Sequence, residues 1–320
     1  MDILLVSDEV VKRSITPAEC VAAVEEGFRL YAAGKVPNVD TRFAHPEAPA
    51  SISLYGAYVP GWGMGAKVLG AYESNPERGE PYIHGAVIVL DPSTGRLQAL
   101  LDGRYLTALR TAAAVAVAAR HLCRPESRVL GILGSGLQAR THLLCHLVVH
   151  PFQRVLIWGR TPERVQEYVE EMKAQVSVPL EVCDSAEAVC AQADVLSCTT
   201  RSRAPLFPAR AVRPGTHIGL AGPLRSEGTE IPLDILPGSR FFVDSRKKFE
   251  HLWQPGTAPR VDGELGPVVT GQTAGRLSAE DITVFKPVGM AFEDVVSARI
   301  VLDRVRNDRA GGKIVWYGEK

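Results

Sequence analysis

The feature that most constrains the fold is a glycine-rich turn between an apolar strand and a helix. The stretch from Val129 to Ala139 reads VLGILGSGLQA, in which Gly134, Gly136 and Ala139 form the pattern G-x-G-x-x-A. Gly134 permits a tight turn, Gly136 lets the backbone approach a pyrophosphate, and Ala139 allows close packing of the helix on the strand. Free N–H groups at the helix start favour an anion there. The turn therefore predicts a dinucleotide-binding unit; the alternative is a glycine-rich turn without a ligand.

Strand and helix patterns alternate around this turn. Predicted strands after residue 125 are Val129–Leu133, Val155–Trp158, Leu180–Cys183, Val195–Cys198, His217–Leu220, Phe241–Val243 and Ile282–Phe285. Helical patterns separate the first of them, which is typical of a doubly wound parallel sheet. Between residues 42 and 101, short runs of β-forming residues separated by Gly and Pro indicate a hairpin-rich sheet. The predicted fold class is α/β, with a Rossmann dinucleotide-binding domain plus a β-rich domain.

The length of 320 residues corresponds to about two domains. We assign residues 1–115 to the β-rich domain and residues 116–290 to the Rossmann domain. Near the N-terminus, Thr16, Pro17 and Glu19 predict a capped helix that ends near Gly34. A final helix is expected from about Met290 to Arg306, and residues 291–320 are assigned to the first domain as its C-terminal helical part.

Charge and cysteine usage restrict the partners and the compartment. The 36 Lys and Arg residues balance the 36 Asp and Glu residues, which argues against nucleic acid as the main partner. The longest weakly polar stretch, Thr111 to Ala119, is far shorter than the ~20 residues of a membrane span. The six cysteines form no Cys-x-x-Cys pattern, and the N-terminus shows no signal peptide. We therefore expect a cytoplasmic protein with a small-molecule partner and no membrane association.

The end of the second Rossmann strand predicts the cofactor. An NAD site usually has Asp or Glu there, whereas this chain reads WGRTPER from Trp158 to Arg164. Arg160, with Thr161 and Arg164, matches the charge and geometry of a 2′-phosphate. This pattern favours NADPH, with NADH as the alternative. The other interpretation is a solvated arginine followed by a threonine that only caps a helix.

Three histidines recur every four residues and raise the question of a metal site. His142, His146 and His150 would lie on one helical face. No Glu lies between them in the pattern of a zinc protease, and no carboxylate cluster offers further ligands. We interpret them as structural or surface histidines and predict no metal.

Basic residues in the N-terminal domain point to an anionic ligand. Lys67 and Arg110 lie in otherwise apolar segments, and Arg42 lies in a short β-rich run. A buried cation is costly unless it meets an anion. The anion can be a substrate carboxylate, or an Asp or Glu of the chain itself, and the residues alone leave both open.

Four ordered motifs resemble those of the ornithine cyclodeaminase/μ-crystallin family over nearly the whole chain. They are Gly65-Ala66-Lys67, Leu101-Asp102-Gly103 followed by Leu106 to Ala113, Gly134 to Ala139, and Thr283 to Asp294. The resemblance implies a homodimer, a β-rich domain for substrate binding and dimerisation, and a Rossmann domain, with nicotinamide and substrate meeting in a cleft. It also implies that Arg42, Lys67 and Arg110 face the substrate carboxylate or the reacting centre. Lys67 is the expected catalytic residue, because it can donate or relay a proton.

The resemblance extends to the cofactor, and the stretch from Trp158 to Thr161 is similar to that of the NADPH-using branch. The residues expected to bind the cofactor are Arg110, Thr111, Gly134, Ser135, Gly136, Leu137, Gln138, Ala139, Gly159, Arg160, Thr161, Arg164, Thr199, Val288 and Gly289. Side-chain contacts to the substrate are expected from Tyr55, Tyr58, His84 and the loop 222–230.

Two departures from the family pattern decide between activities. The cyclodeaminases in the family use two acids to handle the amino groups of the substrate, and these positions fall on Ser53 and Ala221. Glu227 and Glu230 are the nearest substitutes. Without a general base, deprotonation of an amine before oxidation is disfavoured. The expected activity is therefore NAD(P)H-dependent reduction of an α-imino carboxylate. The alternatives are an ornithine cyclodeaminase, an alanine-type amino-acid dehydrogenase, and an NADPH-dependent binding protein like the crystallins.

Overall fold

The chain divides into two compact units, and one of the two boundaries between them lies within a helix. The computed structural model describes residues 2–308 and 312–315. The first unit comprises Met1–Arg110 and Gly289–Lys320, and the second comprises Thr111–Val288. The first boundary therefore falls at Arg110 and not at residue 115.

The elements follow one another in two stretches of different character. Up to the boundary helix they are β1 (Asp2–Val6), α1 (Asp8–Ser14), α2 (Pro17–Ala32), β2 (Asn38–Ala44), β3 (Ala50–Val59), β4 (Gly63–Tyr72), β5 (Ile83–Leu90), β6 (Leu97–Asp102) and α3 (Arg104–Leu122). The second unit continues with β7 (Val129–Leu133), α4 (Leu137–Val149), β8 (Arg154–Trp158), α5 (Pro162–Lys173), β9 (Leu180–Val182), α6 (Ala186–Cys190), β10 (Val195–Cys198), β11 (His217–Leu220), β12 (Leu224–Arg225), β13 (Gly228–Thr229), β14 (Ser239–Val243), α7 (Arg246–Glu250), β15 (Gly263–Glu264), α8 (Leu265–Val269) and β16 (Ile282–Lys286). The chain then returns to the first unit with α9 (Ala291–Asp308) and β17 (Gly312–Val315).

The first unit is built on a seven-stranded sheet. Its order is β17-β1-β6-β5-β4-β3-β2, with β1 and β6 parallel and the other neighbours antiparallel. Helix α9 packs against β3, β4 and β5, and against α2. The start of α2 carries the predicted capping box, in which Thr16 Oγ1 accepts from Glu19 N at 3.2 Å and Thr16 N donates to Glu19 Oε2 at 2.9 Å. Helix α2 ends at Ala32, close to the predicted end near Gly34.

The C-terminal segment departs from the prediction. Helix α9 ends at Asp308, and Gly312–Val315 forms strand β17, which pairs antiparallel with β1. Helix α9 ends close to the expected Arg306, but the helical assignment of residues 291–320 is wrong at residues 312–315. Glycine disfavours the helix interior, and the sequence has two glycines in a row at Gly311 and Gly312. Residues 309–311 and 316–320 lie outside the described residues.

The second unit contains an eight-stranded parallel sheet. Its order is β15-β14-β16-β11-β10-β7-β8-β9, and each neighbouring pair is parallel. Strands β8 and β9 extend from one side of β7, and β10 begins the other side. The strand order thus reverses at β7 and β10, and ligands of such sheets bind at the carboxyl ends of the strands at this reversal. The prediction of a doubly wound Rossmann fold with a second β-rich domain is confirmed.

Candidate functional site

The glycine-rich turn lies at the point where the strand order reverses. Gly134 follows β7 and has φ +122°, and a Cβ there would lie 2.6 Å from Thr199 Oγ1. Thr199 follows β10, and its N and Oγ1 both donate to Leu133 O, at 2.9 and 2.8 Å. Only glycine accommodates this conformation and this close approach. The structure therefore brings together Gly134 and Thr199, two residues that the sequence assigns to the cofactor.

The turn ends in an uncovered helix start. Gly136 occupies the N-cap position of α4, and a Cβ there would meet nothing within 4 Å. Leu137 and Gln138 begin the helix, and Ala139 is fully buried against the sheet. Arg140 Nη1 donates to Ser135 O at 2.6 Å and thereby holds the turn. The first N–H groups of the helix lack intrahelical acceptors, which is the arrangement that binds a phosphate.

The tip of β8 lies beside the turn. Gly134 N donates to Trp158 O at 2.7 Å, and a Cβ on Gly159 would come within 3.5 Å of Ser135 Oγ. Thr161 occupies the N-cap of α5 but its side chain accepts no capping hydrogen bond, so capping does not account for this residue. Arg160 and Arg164 are exposed, and neither forms a salt bridge within residues 2–308 and 312–315. Two cations that have no counter-ion in the described part of the chain thus follow the second strand.

The remaining predicted cofactor residues lie at the two positions along the chain where one unit ends and the other begins. Val288 follows β16, and its N–H donates to the buried carboxylate of Asp244, Oδ2, at 2.8 Å. Thr111 and Arg110 are consecutive on α3. Gly289 has φ +94°, and a Cβ on it would lie 2.9 Å from Arg110 Nη1. The glycine therefore leaves the space that the guanidinium of Arg110 occupies.

Lys67 and Arg110 are joined by two acids of α9 that the sequence did not assign to the site. Lys67 Nζ lies 2.7 Å from Asp294 Oδ1, Arg110 Nε lies 3.1 Å from the same oxygen, and Arg110 Nη1 lies 2.7 Å from Glu293 Oε2. Lys67, Arg110, Glu293 and Asp294 are 1%, 5%, 0% and 1% exposed. We call these four residues the charge cluster. The sequence left open whether Lys67 and Arg110 pair with a substrate carboxylate or with acids of the chain itself. In the structure they pair with acids of the chain.

Local structure explains how these side chains meet. Residues of β4 alternate between two faces of the sheet, and Lys67 points to the face that α9 covers. Glu293 and Asp294 lie in the first turn of α9, where the helix dipole favours acids. The signal that could have identified them is a pair of adjacent acids within an otherwise apolar stretch, in a chain with two buried cations that need counter-ions.

Burial and neighbouring charges shift the pKa values of Lys67 and Arg110. Burial, reinforced by the charge of Arg110 and opposed by Asp294, lowers the pKa of Lys67 to about 8. Burial also acts to lower the pKa of Arg110, but Asp294 and Glu293 outweigh it and raise that pKa above its ordinary value. The ring of Tyr55 lies 4.7 Å from Lys67 Nζ. Lys67 is therefore a cation near neutral pH that can release a proton at a modest free-energy cost.

The other residues predicted around the substrate lie at different places on the sheet. Arg42 is exposed on the edge strand β2, on the same face as Lys67 by strand register, but outside the charge cluster. Ser53 is buried on that face, opposite Arg42. Tyr58 and His84 lie on the opposite face. Register thus groups Arg42 and Tyr55 with Lys67 and separates Tyr58 and His84 from it.

The second unit buries a further acid and a further cation behind the loop that contains Ala221. Glu230 Oε2 accepts from Thr200 N at 2.9 Å and from Thr200 Oγ1 at 2.7 Å, and burial raises the pKa of Glu230 to about 7. Lys286 Nζ donates to Gly222 O at 2.7 Å. Glu227, in contrast, is exposed and lies 3.5 Å from Arg225. Glu230 thus holds backbone in place, and it is fully buried.

Two of the three histidines, His142 and His146 of α4, belong to the core. His142 Nδ1 lies 2.7 Å from Ser197 Oγ, and His146 Nδ1 lies 2.8 Å from His142 O, with both rings fully buried. His150 is partly buried and lies 2.6 Å from Ser127 O through Nε2. Within the described part of the chain, no three His, Cys, Asp or Glu residues are arranged to hold a metal ion.

None of the described helices is long and apolar enough to span a bilayer.

A Rossmann unit with an open glycine-rich turn, joined to a unit that buries paired cations, defines a two-domain dinucleotide-binding protein. The chain belongs to the ornithine cyclodeaminase/mu-crystallin family, whose model matches residues 2–309. The family resemblance stated from the motifs is confirmed.

Three proteins similar to this chain are a ketimine reductase, a Δ1-pyrroline-2-carboxylate reductase and an alanine dehydrogenase. Ketimine reductase mu-crystallin of Rattus norvegicus is 34% identical over 74% of this chain and 74% of its own. The Δ1-pyrroline-2-carboxylate reductase of Thermococcus litoralis, solved with NADH and L-proline, has a TM-score of 0.90 and 27% identity, covering 98% of this chain and 100% of that chain. An archaeal alanine dehydrogenase dimer with bound NAD has a TM-score of 0.91 and 30% identity, covering 99% and 100%.

Proposed function

We propose that the chain is an NADPH-dependent imine reductase that converts a small α-imino carboxylate into an L-amino acid. It is an NAD(P)H-dependent oxidoreductase of the class that acts on C=N and CH–NH bonds. The observation that carries the finer proposal is the charge cluster, in which a lysine with a pKa of about 8 lies beside an arginine in a buried site. Cyclic imino acids such as Δ1-pyrroline-2-carboxylate and Δ1-piperideine-2-carboxylate are the substrates we favour.

The proposed roles follow from the charges of the residues. A bound dihydronicotinamide supplies a hydride to the C=N carbon. Arg110 and Arg42 bind the carboxylate and thereby fix the position of that carbon, since a guanidinium matches carboxylate geometry. Lys67 donates or relays the proton that the nitrogen needs, and a pKa of about 8 suits a proton donor near neutral pH. Hydride on carbon and proton on nitrogen together give the amine.

The preference for NADPH rests on the tip of β8. Arg160 and Arg164 are exposed cations without salt bridges among the described residues, and Thr161 does not use its hydroxyl as a cap. A 2′-phosphate supplies the missing counter-ion. NADH is the alternative, and the ratio of kcat/KM for the two cofactors measures the preference directly.

An amino-acid dehydrogenase is the second candidate, because the archaeal alanine dehydrogenase matches the chain over nearly its full length. Ornithine cyclodeamination is less favoured, since Ser53 and Ala221 stand where acids are expected and Glu230 is bound to Thr200. A protein that binds NADPH without turnover is the alternative from another class.

One steady-state screen separates these functions. Purified protein is assayed with NADPH and NADH against Δ1-pyrroline-2-carboxylate, Δ1-piperideine-2-carboxylate, iminosuccinate, and pyruvate with ammonium, and separately with L-ornithine. We expect the fastest cofactor oxidation with a cyclic imine and NADPH. Faster turnover of pyruvate with ammonium would favour the dehydrogenase, proline and ammonia from ornithine would favour the cyclodeaminase, and background rates throughout would favour binding alone.

The variant Lys67→Ala should lower the rate of imine reduction. An unchanged rate would show that Lys67 has no role in the reaction.

We also propose a homodimer in the cytoplasm. The face of the seven-stranded sheet opposite Lys67 carries large exposed apolar residues, namely Val39, Phe43, Leu54, Tyr58, Val68 and Leu100. Apolar patches of this kind mark protein interfaces, and a second copy would cover this one. Leu54→Lys should therefore convert a dimer into a monomer in light scattering, whereas Leu277→Lys, at an exposed site of the second unit, should not. A monomeric wild type would contradict the proposal.

A further inference from the structure

The charge cluster is electrically balanced before any ligand binds. Two cations, Lys67 and Arg110, face two anions, Glu293 and Asp294, at distances from 2.7 to 3.1 Å. All four residues are buried. A ligand that brings a net negative charge would leave this buried site with an uncompensated charge, which is unfavourable where water is scarce. A ligand with one charge of each sign would keep the balance.

Two groups of one ion pair have no hydrogen-bond partner among the described residues. Arg110 uses Nε and Nη1 for Asp294 and Glu293, and its Nη2 forms no hydrogen bond with residues 2–308 and 312–315. Asp294 uses Oδ1 for both cations, while its Oδ2 is buried and accepts no hydrogen bond from the described residues. Buried carboxylate oxygens without a partner are rare, because the lost hydration is costly. The ion pair therefore offers one unused donor group and one unused acceptor.

We propose that Asp294 Oδ2 accepts a hydrogen bond from the protonated nitrogen of the ligand while Arg110 Nη2 binds its carboxylate. The cluster then selects an iminium or ammonium carboxylate over a keto acid or another net anion. This inference takes its ligand class from the proposed function, but it concerns binding and does not depend on turnover.

Two ligands of nearly the same shape test the inference without substrate turnover. L-Proline carries a carboxylate and a ring NH₂⁺, whereas (S)-tetrahydrofuran-2-carboxylate replaces the nitrogen by an ether oxygen that donates no hydrogen bond. Titration calorimetry near pH 7, with saturating NADPH or NADH, which cannot react with proline, should give proline an affinity about tenfold higher or more, the range expected for a hydrogen bond to a charged group. Equal affinities, a preference for the ether, or no binding of either ligand would overturn the inference.

Asp294→Asn sharpens the test, because it replaces the negative acceptor by an amide. In this variant the preference for proline should fall to about twofold or less, while Asp303→Asn, on the exposed part of the same helix, should retain it. An unchanged preference in a folded Asp294→Asn protein would overturn the inference. Should that variant not fold, the comparison of the two ligands on the wild type still decides. A clear preference for proline without reduction of any imine would leave the inference standing and contradict the reductase.

Discussion

The cations assigned to the substrate in the first unit differ from those assigned to the cofactor in the second unit in burial and in pairing. In the first unit Lys67 and Arg110 are buried and already paired with acids. In the second unit Arg160 and Arg164 are exposed and form no salt bridge among the described residues. A buried pair is fixed before a ligand arrives, so its loss affects folding as well as binding. An exposed cation is solvated in the free protein, so its loss affects mainly the affinity for an anion.

Removing a cation from the buried cluster should have the largest effect. Arg110→Met leaves Glu293 and Asp294 buried with less positive charge, and we expect the free energy of unfolding to fall by about 3–5 kcal/mol, together with loss of imine reduction. Arg299→Met, which removes a partly exposed cation paired with Asp303 on the same helix α9, should cost about 0–1 kcal/mol. Urea denaturation of both variants measures the difference. Equal losses would show that burial of Arg110 has no energetic consequence.

Acid should destabilise the protein through the histidines buried in the second unit. Burial lowers the pKa of His146 from 6.5 to about 4, and lowers those of His142 and His217 well below 6.5. The unfolded chain therefore binds protons that the folded chain does not, so stability falls as the pH drops from about 6.5 to about 4. Each histidine contributes about 1.4 kcal/mol per pH unit in this window.

His146→Gln isolates one of these contributions. The raised pKa of Glu230, about 7, makes stability change in the opposite direction between about 4.5 and 7, but it is common to both proteins and cancels in the difference. The variant should lose stability less steeply than the wild type in urea unfolding between pH 6.5 and 4. Parallel pH profiles would mean that His146 is not buried in its neutral form.

Crowding Arg110 without removing it should have a smaller effect. In Gly289→Ala the new methyl would lie 2.9 Å from Arg110 Nη1, at a residue with φ +94°. We expect a loss of about 1–3 kcal/mol in the free energy of unfolding, with a higher KM for the imino acid. Gly61→Ala is the control, because Gly61 also has a positive φ, +79°, but has no atom within 4 Å of its Cβ position. An unchanged substrate KM in Gly289→Ala would contradict the proposal that Arg110 binds the substrate carboxylate.

Removing an exposed cation should have the smallest effect on stability. Arg160→Ala should change the free energy of unfolding by no more than about 0.5 kcal/mol, raise the KM for NADPH about tenfold or more, and leave the KM for NADH unchanged. Added salt should reduce the contribution of Arg160. Arg154→Ala, at the other end of β8, should not alter either KM. A parallel rise in both KM values for Arg160→Ala would contradict its role at the 2′-phosphate.

The sequence predictions were accurate where the interacting residues are close together in the chain, and they failed where those residues are far apart. The capping box at Thr16 and Glu19 spans three residues, and it forms as predicted. The strand, turn and helix around Gly134 also lie within one short segment, and their spacing is sufficient to identify them. Strand β17 was not predicted, because it depends on pairing with β1 at the opposite end of the chain.

The charge cluster shows why the site was only partly predictable. Lys67 and Arg110 were identified because charged residues in apolar segments are unusual, but their partners were not. Asp294 is 227 residues from Lys67 and 184 residues from Arg110 along the chain. No local pattern connects acids and cations at such separations, whereas strand register and the packing of α9 do. Tyr58 and His84 illustrate the same limit, since register puts them on the face opposite Lys67.

The sequence by itself determined the dinucleotide-binding turn, the α/β class and the family, because each rests on local periodicity, glycine positions or short motifs. Only the tertiary structure decided that Lys67 and Arg110 are neutralised by Glu293 and Asp294 while Arg160 and Arg164 have no counter-ion among the described residues. The physical reason is that a charge is stabilised by whatever lies within a few ångströms in space, and the order of residues does not give that distance.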